Sequence, residues 1–129
     1  MVTASRRTPP ASITALRAAL AAVPHRFFDP ADGAAGPNPY LGFLALAEAI
    51  IVTDDSVSMA SDAASTGKPL FVAPLPGGAP KLARFHASLA AAGMSRPLGQ
   101  GWATWTYPPL RDAEAAAAAV AKAWARGTR

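Results

Sequence analysis

The 129-residue sequence contains no cysteine, which excludes disulfides, thiolate catalysis and the common zinc motifs. It has no hydrophobic run long enough to cross a bilayer. The longest apolar stretch, Leu41 to Val52, is interrupted by Glu48 and falls short of the roughly 20 residues a spanning helix needs. Lysine is scarce, with three residues against nine arginines, and no basic run is interleaved with aromatics, so no nucleic-acid partner is expected. No Ser/His/Asp spacing, Walker loop or G-x-G-x-x-G fingerprint occurs. Ser5-Arg6-Arg7 ahead of an alanine- and leucine-rich segment has the outline of a twin-arginine export signal, but Pro9, Pro10 and Arg17 break the apolar region that such a signal requires. A cytoplasmic location is the expectation.

What is present is a chain of single-domain length, half apolar, with much of that share in alanine. The formal charge is +4 and is carried mainly by guanidinium groups, which suit planar anions such as phosphate or carboxylate. Short apolar runs alternate with helical periodicity. Met1–Ala4 stands where a first strand would end, and Pro9-Pro10 opens a helix to about Val23 with Ile13, Leu16 and Leu20 on one face. His25–Phe28 reads as a strand, and residues 29–39 as a loop of Gly, Pro and Asp. A short helix follows from Tyr40 to about Ala47, then a buried strand over Ala49–Thr53. Asp54, Asp55 and Ser56 are candidate caps for a helix to Thr66. Gly67 ends it, and Leu70–Val72 is the next buried strand. A helix over Lys81–Ala92 and a last one over Asp112–Arg126, packing through Val120 and Trp124, complete the chain.

This succession predicts an α/β domain of Rossmann-like, three-layer type, with a mostly parallel sheet and right-handed crossovers. Ligands in such sheets bind outside the carboxyl ends of the strands. The segments there are Ser5–Thr8, Asp29–Tyr40, Asp54–Ser58 and Pro74–Lys81. Ser5, Arg6, Arg7 and Thr8 enter a helix amino terminus, where free N–H groups and two guanidinium groups suit an anion. Asp55, Ser56, Ser58 and Asp62 are candidate ligand-binding residues at the start of the third helix, where Ser58, Asp62 and Ser65 share one face. From that face the Asp62 carboxylate can accept two sugar hydroxyls, or it is an ordinary solvated charge. Lys81 and Arg84 lie together on the first turns of the fourth helix. His86 is either a general base or a packing residue. Adjacent Asp54 and Asp55 point different ways from a strand end and do not make a metal site. Trp102, Trp105 and Tyr107 either stack on a ligand or pin the carboxyl-terminal segment to the core.

Three blocks carry a family resemblance: Thr3-Ala-Ser-Arg-Arg-Thr-Pro9, the stretch from Asn38 to Met59, and Lys81-Leu-Ala-Arg-Phe-His86. Their order and spacing resemble the carboxyl-terminal portion of the mitochondrial-fission family named for elongated mitochondria, over nearly the whole chain. The resemblance implies a bacterial member of unknown function with the architecture of GT-B glycosyltransferases. The chain is then the single donor-side domain, residues 1–129, of a longer two-domain protein. More distantly, Ser61-Asp62-Ala-Ala-Ser-Thr-Gly67-Lys-Pro69 is similar to the donor helix of the peptidoglycan N-acetylglucosaminyl transferase, which implies that Asp62 holds a ribose.

The expected function is binding of a nucleotide-sugar or similar anionic metabolite, without turnover by this half alone and with no cofactor. Ser5, Arg6, Arg7 and Thr8 hold phosphate in this reading, Ser58 and Asp62 hold hydroxyls, and Lys81 and Arg84 add positive charge. Its rival is a non-catalytic protein-interaction module, the adaptor role of the plant members. An amino-terminal domain or a second copy is the expected partner, through groups around Tyr40, Phe43, Trp102 and Trp105.

Overall fold

The computed structural model describes residues 1–32 and 36–127, so residues 33–35 of the expected loop lie outside the description. Its contacts divide the chain into two units, Met1–Ala47 and Glu48–Arg129.

In the first unit, strand β1 (Val2–Thr3) pairs in parallel with β2 (Phe27–Phe28), Val2 opposite Phe27. Helix α1 (Pro10–Leu20) connects them, with Pro9 at its N-cap and Pro10 in its first turn, where a missing N–H costs nothing. The helix stops three residues short of Val23. Pro24 disfavours helical backbone at the residue before it, and Val23 N–H instead closes a turn on the Leu20 carbonyl at 2.9 Å. The strand expected from His25 begins only at Phe27, because His25 Nδ1 is bonded to the Val23 carbonyl at 2.7 Å within that turn. No residue of α1 is buried, although the Arg17 guanidinium lies 4.5 Å over the Phe27 ring. Helix α2 (Tyr40–Leu46) starts where the Asn38 side chain accepts the Tyr40 N–H at 3.0 Å.

The second unit holds a parallel three-stranded sheet in the order β3 (Ile50–Thr53), β4 (Leu70–Ala73), β5 (Ser95–Pro97). The register sets Ile50 opposite Leu70 and Leu70 opposite Ser95. The crossovers are α3 (Val57–Ala64) and α4 (Pro80–Ala91). Because the strand order runs one way, right-handed crossovers put both helices on the same face. Side chains alternate accordingly. Ile50, Val52 and Leu70 are buried on the helix side with Ala60, Ala63, Ala64 and Leu89, the three alanines letting α3 sit close to the strands.

On the other face the segment after Gly101 packs against the sheet. Phe71 is fully buried, with the Trp102 ring stacked 5.0 Å away and the Trp105 ring edge-on at 5.2 Å. Trp105 Nε1 donates to the Gly93 carbonyl at 3.0 Å, and the Arg96 guanidinium lies 4.3 Å over the Trp105 ring. Tyr107 donates its hydroxyl to the Lys68 carbonyl at 2.6 Å. The aromatics after Gly101 therefore pin this segment to the core. A 3-10 turn over Leu98–Gln100 leads into it.

Helix α5 (Asp112–Gly127) forms where expected but does not pack as expected. Val120 is 68% and Trp124 75% exposed, and the helix has no buried residue. Its many alanines have the highest intrinsic helix propensity.

Candidate functional site

The carboxyl ends of β3 and β4 and the starts of α3 and α4 meet at one edge of the second unit, as parallel pairing demands. The turn after β3 is organised by its own side chains. Ser56, not Asp54 or Asp55, is the N-cap of α3: it is buried, and its Oγ accepts the Met59 N–H at 3.3 Å. Asp55 Oδ1 accepts the Thr53 hydroxyl at 2.6 Å. Asp54 Oδ1 accepts the Leu75 N–H at 3.0 Å and so fastens the loop after β4 to the end of β3. His86 completes a clasp from α4, with Nε2 3.0 Å from the Asp54 carbonyl oxygen. A carbonyl only accepts, so Nε2 is the donor in this bond and Nδ1 is the other ring nitrogen. That Nδ1 is buried and has no hydrogen-bond partner among the described residues. His86 thus holds α4 against the turn that carries the candidate ligand-binding residues.

Ser58 and Asp62 are exposed one turn apart on α3, where their shared face was expected. Ser65, next on that face, turns its hydroxyl back to the Ser61 carbonyl at 2.8 Å. Lys81 and Arg84 are exposed in the first turns of α4, which has neither a side-chain cap nor an acidic residue in its first turn. Two cations at the positive end of a helix dipole raise the potential there and favour an anion. Asp55, Ser56, Ser58, Asp62, Lys81 and Arg84 therefore all belong to α3, α4 or the turn that precedes α3. None of them lines the apolar cleft of about 280 Å³ behind α4, whose walls include Val72, Pro74, His86, Ala90 and Pro97.

Ser5, Arg6, Arg7 and Thr8 lie in the first unit, between β1 and α1. The expected cradle of free N–H groups is largely used up inside the turn. Ser5 N–H donates to Thr8 Oγ1 at 2.9 Å, Arg7 N–H to Ser5 Oγ at 3.1 Å, and Thr8 N–H to the Ser5 carbonyl at 3.0 Å. Arg6 and Arg7 remain exposed, so their guanidinium groups, rather than the backbone, are what this turn offers an anion.

The sequence matches the family described as mitochondrial fission ELM1 over residues 1–124. The chain belongs to that family. Among curated proteins, it is 45% identical over 88 residues to the mitochondrial fission protein ELM1 of Arabidopsis thaliana, covering 65% of this chain and 20% of the plant protein. It is also 51% identical over 45 residues to an uncharacterized protein of Rickettsia prowazekii (strain Madrid E), covering 35% of this chain and 13% of that one. The ELM1-family chain thus spans a minor part of each relative's length. No solved structure matches it. Among the described residues, no helix is long and apolar enough to cross a membrane, and no group of three or more His, Cys, Asp and Glu side chains could hold a metal ion.

Proposed function

We propose that this ELM1-family chain is the donor-side, GT-B-like domain of a longer protein and that it binds a nucleotide-sugar or a similar anionic metabolite. The observation that carries the reading is the pairing at the carboxyl edge of β3 and β4. Helix α3 exposes a hydroxyl and a carboxylate, the start of α4 exposes two cations, and the Asp54–His86 hydrogen bond ties the turn before α3 to α4.

The chemistry divides between the helices. The carboxylates of Asp54 and Asp55 repel a diphosphate, so the turn before α3 is not its seat. Ser58 and Asp62 serve neutral hydroxyls, of a ribose or a sugar, and Lys81 and Arg84 take the negative charge. Arg6 and Arg7 are the anion-binding groups of the first unit. Ser56 contributes by capping the helix that presents Ser58 and Asp62. Glycosyl transfer, if the full-length protein catalyses it, requires an acceptor domain.

A thermal-shift panel of nucleosides, nucleoside diphosphates and nucleotide-sugars tests the proposal. One member at about a hundred times its Kd should add about 2.7 kcal/mol of stability. Asp62→Ala should weaken nucleoside and diphosphate alike. Lys81→Ala and Arg84→Ala should weaken the diphosphate far more than the nucleoside. No shift with any member at millimolar concentration would remove the donor-site reading. It would leave the rival, a protein-interaction module, which the exposed Ile51 and Trp102 on the Phe71 side of the sheet favour.

A further inference from the structure

The apolar cleft of about 280 Å³ behind α4 lies between that helix and β5, the outer strand of the sheet. Its floor is the helix side of the sheet, where Val72 stands opposite Pro97 and the buried Leu70 opposite Ser95. His86, Ala87 and Ala90 form its roof, because residues three and four apart share a helix face. Small side chains at Ala87, Ala90 and Ser95 leave this space between helix and strand unfilled. Two polar groups border it without a hydrogen-bond partner among the described residues. Ser95 is only 5% exposed, and its hydroxyl bonds no described residue. His86 Nδ1 is buried and unpaired as well. Most buried polar side-chain atoms are hydrogen-bonded, so a buried hydroxyl left unpaired beside an open cleft calls for a partner from that cleft.

We propose that this cleft binds a small neutral ring compound with one hydrogen-bonding substituent, of the phenol class. The ring lies among Val72, Pro97 and Ala90, and the substituent meets the Ser95 hydroxyl. Size limits the occupant. An apolar cavity of roughly 150 Å³ holds one benzene. Drug-sized ligands take about 300–1,000 Å³, so a cleft of about 280 Å³ suits one substituted ring rather than a nucleotide. Charge limits it further. No carboxylate or ammonium group lines the cleft, and the guanidinium of Arg96, on its wall, is taken up by the Trp105 ring. An ion would lose its hydration there without gaining a counter-charge.

Water suits the cleft less well. A buried water makes about three hydrogen bonds, and apart from Ser95 and His86 these walls are apolar side chains and the occupied Arg96. The proposal stands apart from the nucleotide-sugar reading, since Ser58, Asp62, Lys81 and Arg84 do not line this cleft.

Nitrogen–proton correlation spectra of the full chain, titrated with phenol, toluene and benzoate, test this. Phenol at millimolar concentration should shift the amide signals of Val72, Ala87, Ala90 and Ser95. Those of Asp62 and Lys81 should stay in place, which separates the cleft from the proposed nucleotide-sugar edge. Ser95→Ala should weaken phenol about fivefold, the net worth of one hydrogen bond, and leave toluene unchanged. Ala90→Leu fills the cleft from an exposed helical position where leucine is well tolerated, and should weaken both rings by on the order of tenfold or more. Benzoate should bind at least about tenfold more weakly than phenol. Circular dichroism checks the fold of each variant, and Ala87→Leu fills the same space should Ala90→Leu disturb it. No shift of these four amides with any probe at millimolar concentration overturns the proposal. So do shifts that survive the filled cleft, which place the ring elsewhere, and equal weakening of phenol and toluene by Ser95→Ala, which denies the hydroxyl its role. Benzoate bound as tightly as phenol would reject the neutral class.

Discussion

Replacing Phe71 by alanine should remove a large part of the stability of the Glu48–Arg129 unit. Phe71 is fully buried on β4, the middle strand, and it is the floor on which Trp102 stacks and against which Trp105 sets its edge. Phe→Ala in a packed core costs about 3–5 kcal/mol, from lost transfer energy plus the cavity left behind. Each aromatic pair adds about 0.5–1.5 kcal/mol beyond area burial, and part of that is already inside the first figure. An expected loss of about 4 kcal/mol is a large fraction of the roughly 5–15 kcal/mol that holds a domain together. Phe71→Leu keeps the apolar volume and loses the ring contacts, so it should cost about 1–2 kcal/mol. Urea titration read by tryptophan emission and by far-ultraviolet circular dichroism measures both. In the alanine variant the emission should shift to the red before any denaturant is added, because Trp102 and Trp105 lose their common contact. A Phe71→Ala variant that loses less than about 1 kcal/mol and keeps the parent emission would show that the aromatic cover does not hold this face of the sheet.

Two other perturbations follow from geometry on the same side. Burial pushes the Tyr107 hydroxyl up to about 12 from its ordinary value near 10. The folded state therefore binds this proton more tightly than the unfolded chain does. The contribution, on the order of 2 kcal/mol, is fully present below pH 10 and is lost as pH rises from about 10 to 12; Tyr107→Phe should flatten that part of the stability-versus-pH curve. Gly67 has φ of +71°, and an added Cβ would lie 3.2 Å from Pro109 Cγ and 3.3 Å from the Tyr107 carbonyl oxygen. Gly67→Ala should therefore cost more than about 1 kcal/mol in thermal denaturation, whereas Gly99→Ala, with open space around its Cβ, should be close to neutral.

The parts of this fold that were legible in the sequence are those with a local cause. Ile50–Thr53 and Leu70–Ala73 announce themselves as short apolar runs between turn residues, and Gly67 and Gly93 end helices through a backbone conformation that glycine adopts without strain. The strand Ser95–Pro97 carries no such sign. Ser-Arg-Pro has neither an apolar run nor alternation, and it is a strand only because β4 offers it a ladder. Competition among Asp54, Asp55 and Ser56 for the cap was equally hidden. It is settled by the Leu75 N–H, 21 residues further on, which draws the Asp54 carboxylate away. The turn at Ser5–Thr8 taught the reverse lesson: hydroxyls that look available for a ligand can consume the very N–H groups that a ligand would need. Periodicity likewise shows that α5 has an apolar stripe but not that the stripe faces solvent, because burial belongs to the surroundings and not to the helix.

The β5 strand has one more effect, on colloidal behaviour. It is the outer strand on its side of the Glu48–Arg129 sheet, and an open strand edge is a template on which other chains can polymerise. Here that edge is only three residues long, bears the Arg96 charge, and ends in Pro97, which has no N–H to give to an incoming strand. The sheet is therefore terminated on that side by its own backbone chemistry. A chain rich in apolar residues is thereby guarded against cross-β growth at β5, at the cost of the weak local signal that makes this strand hard to find.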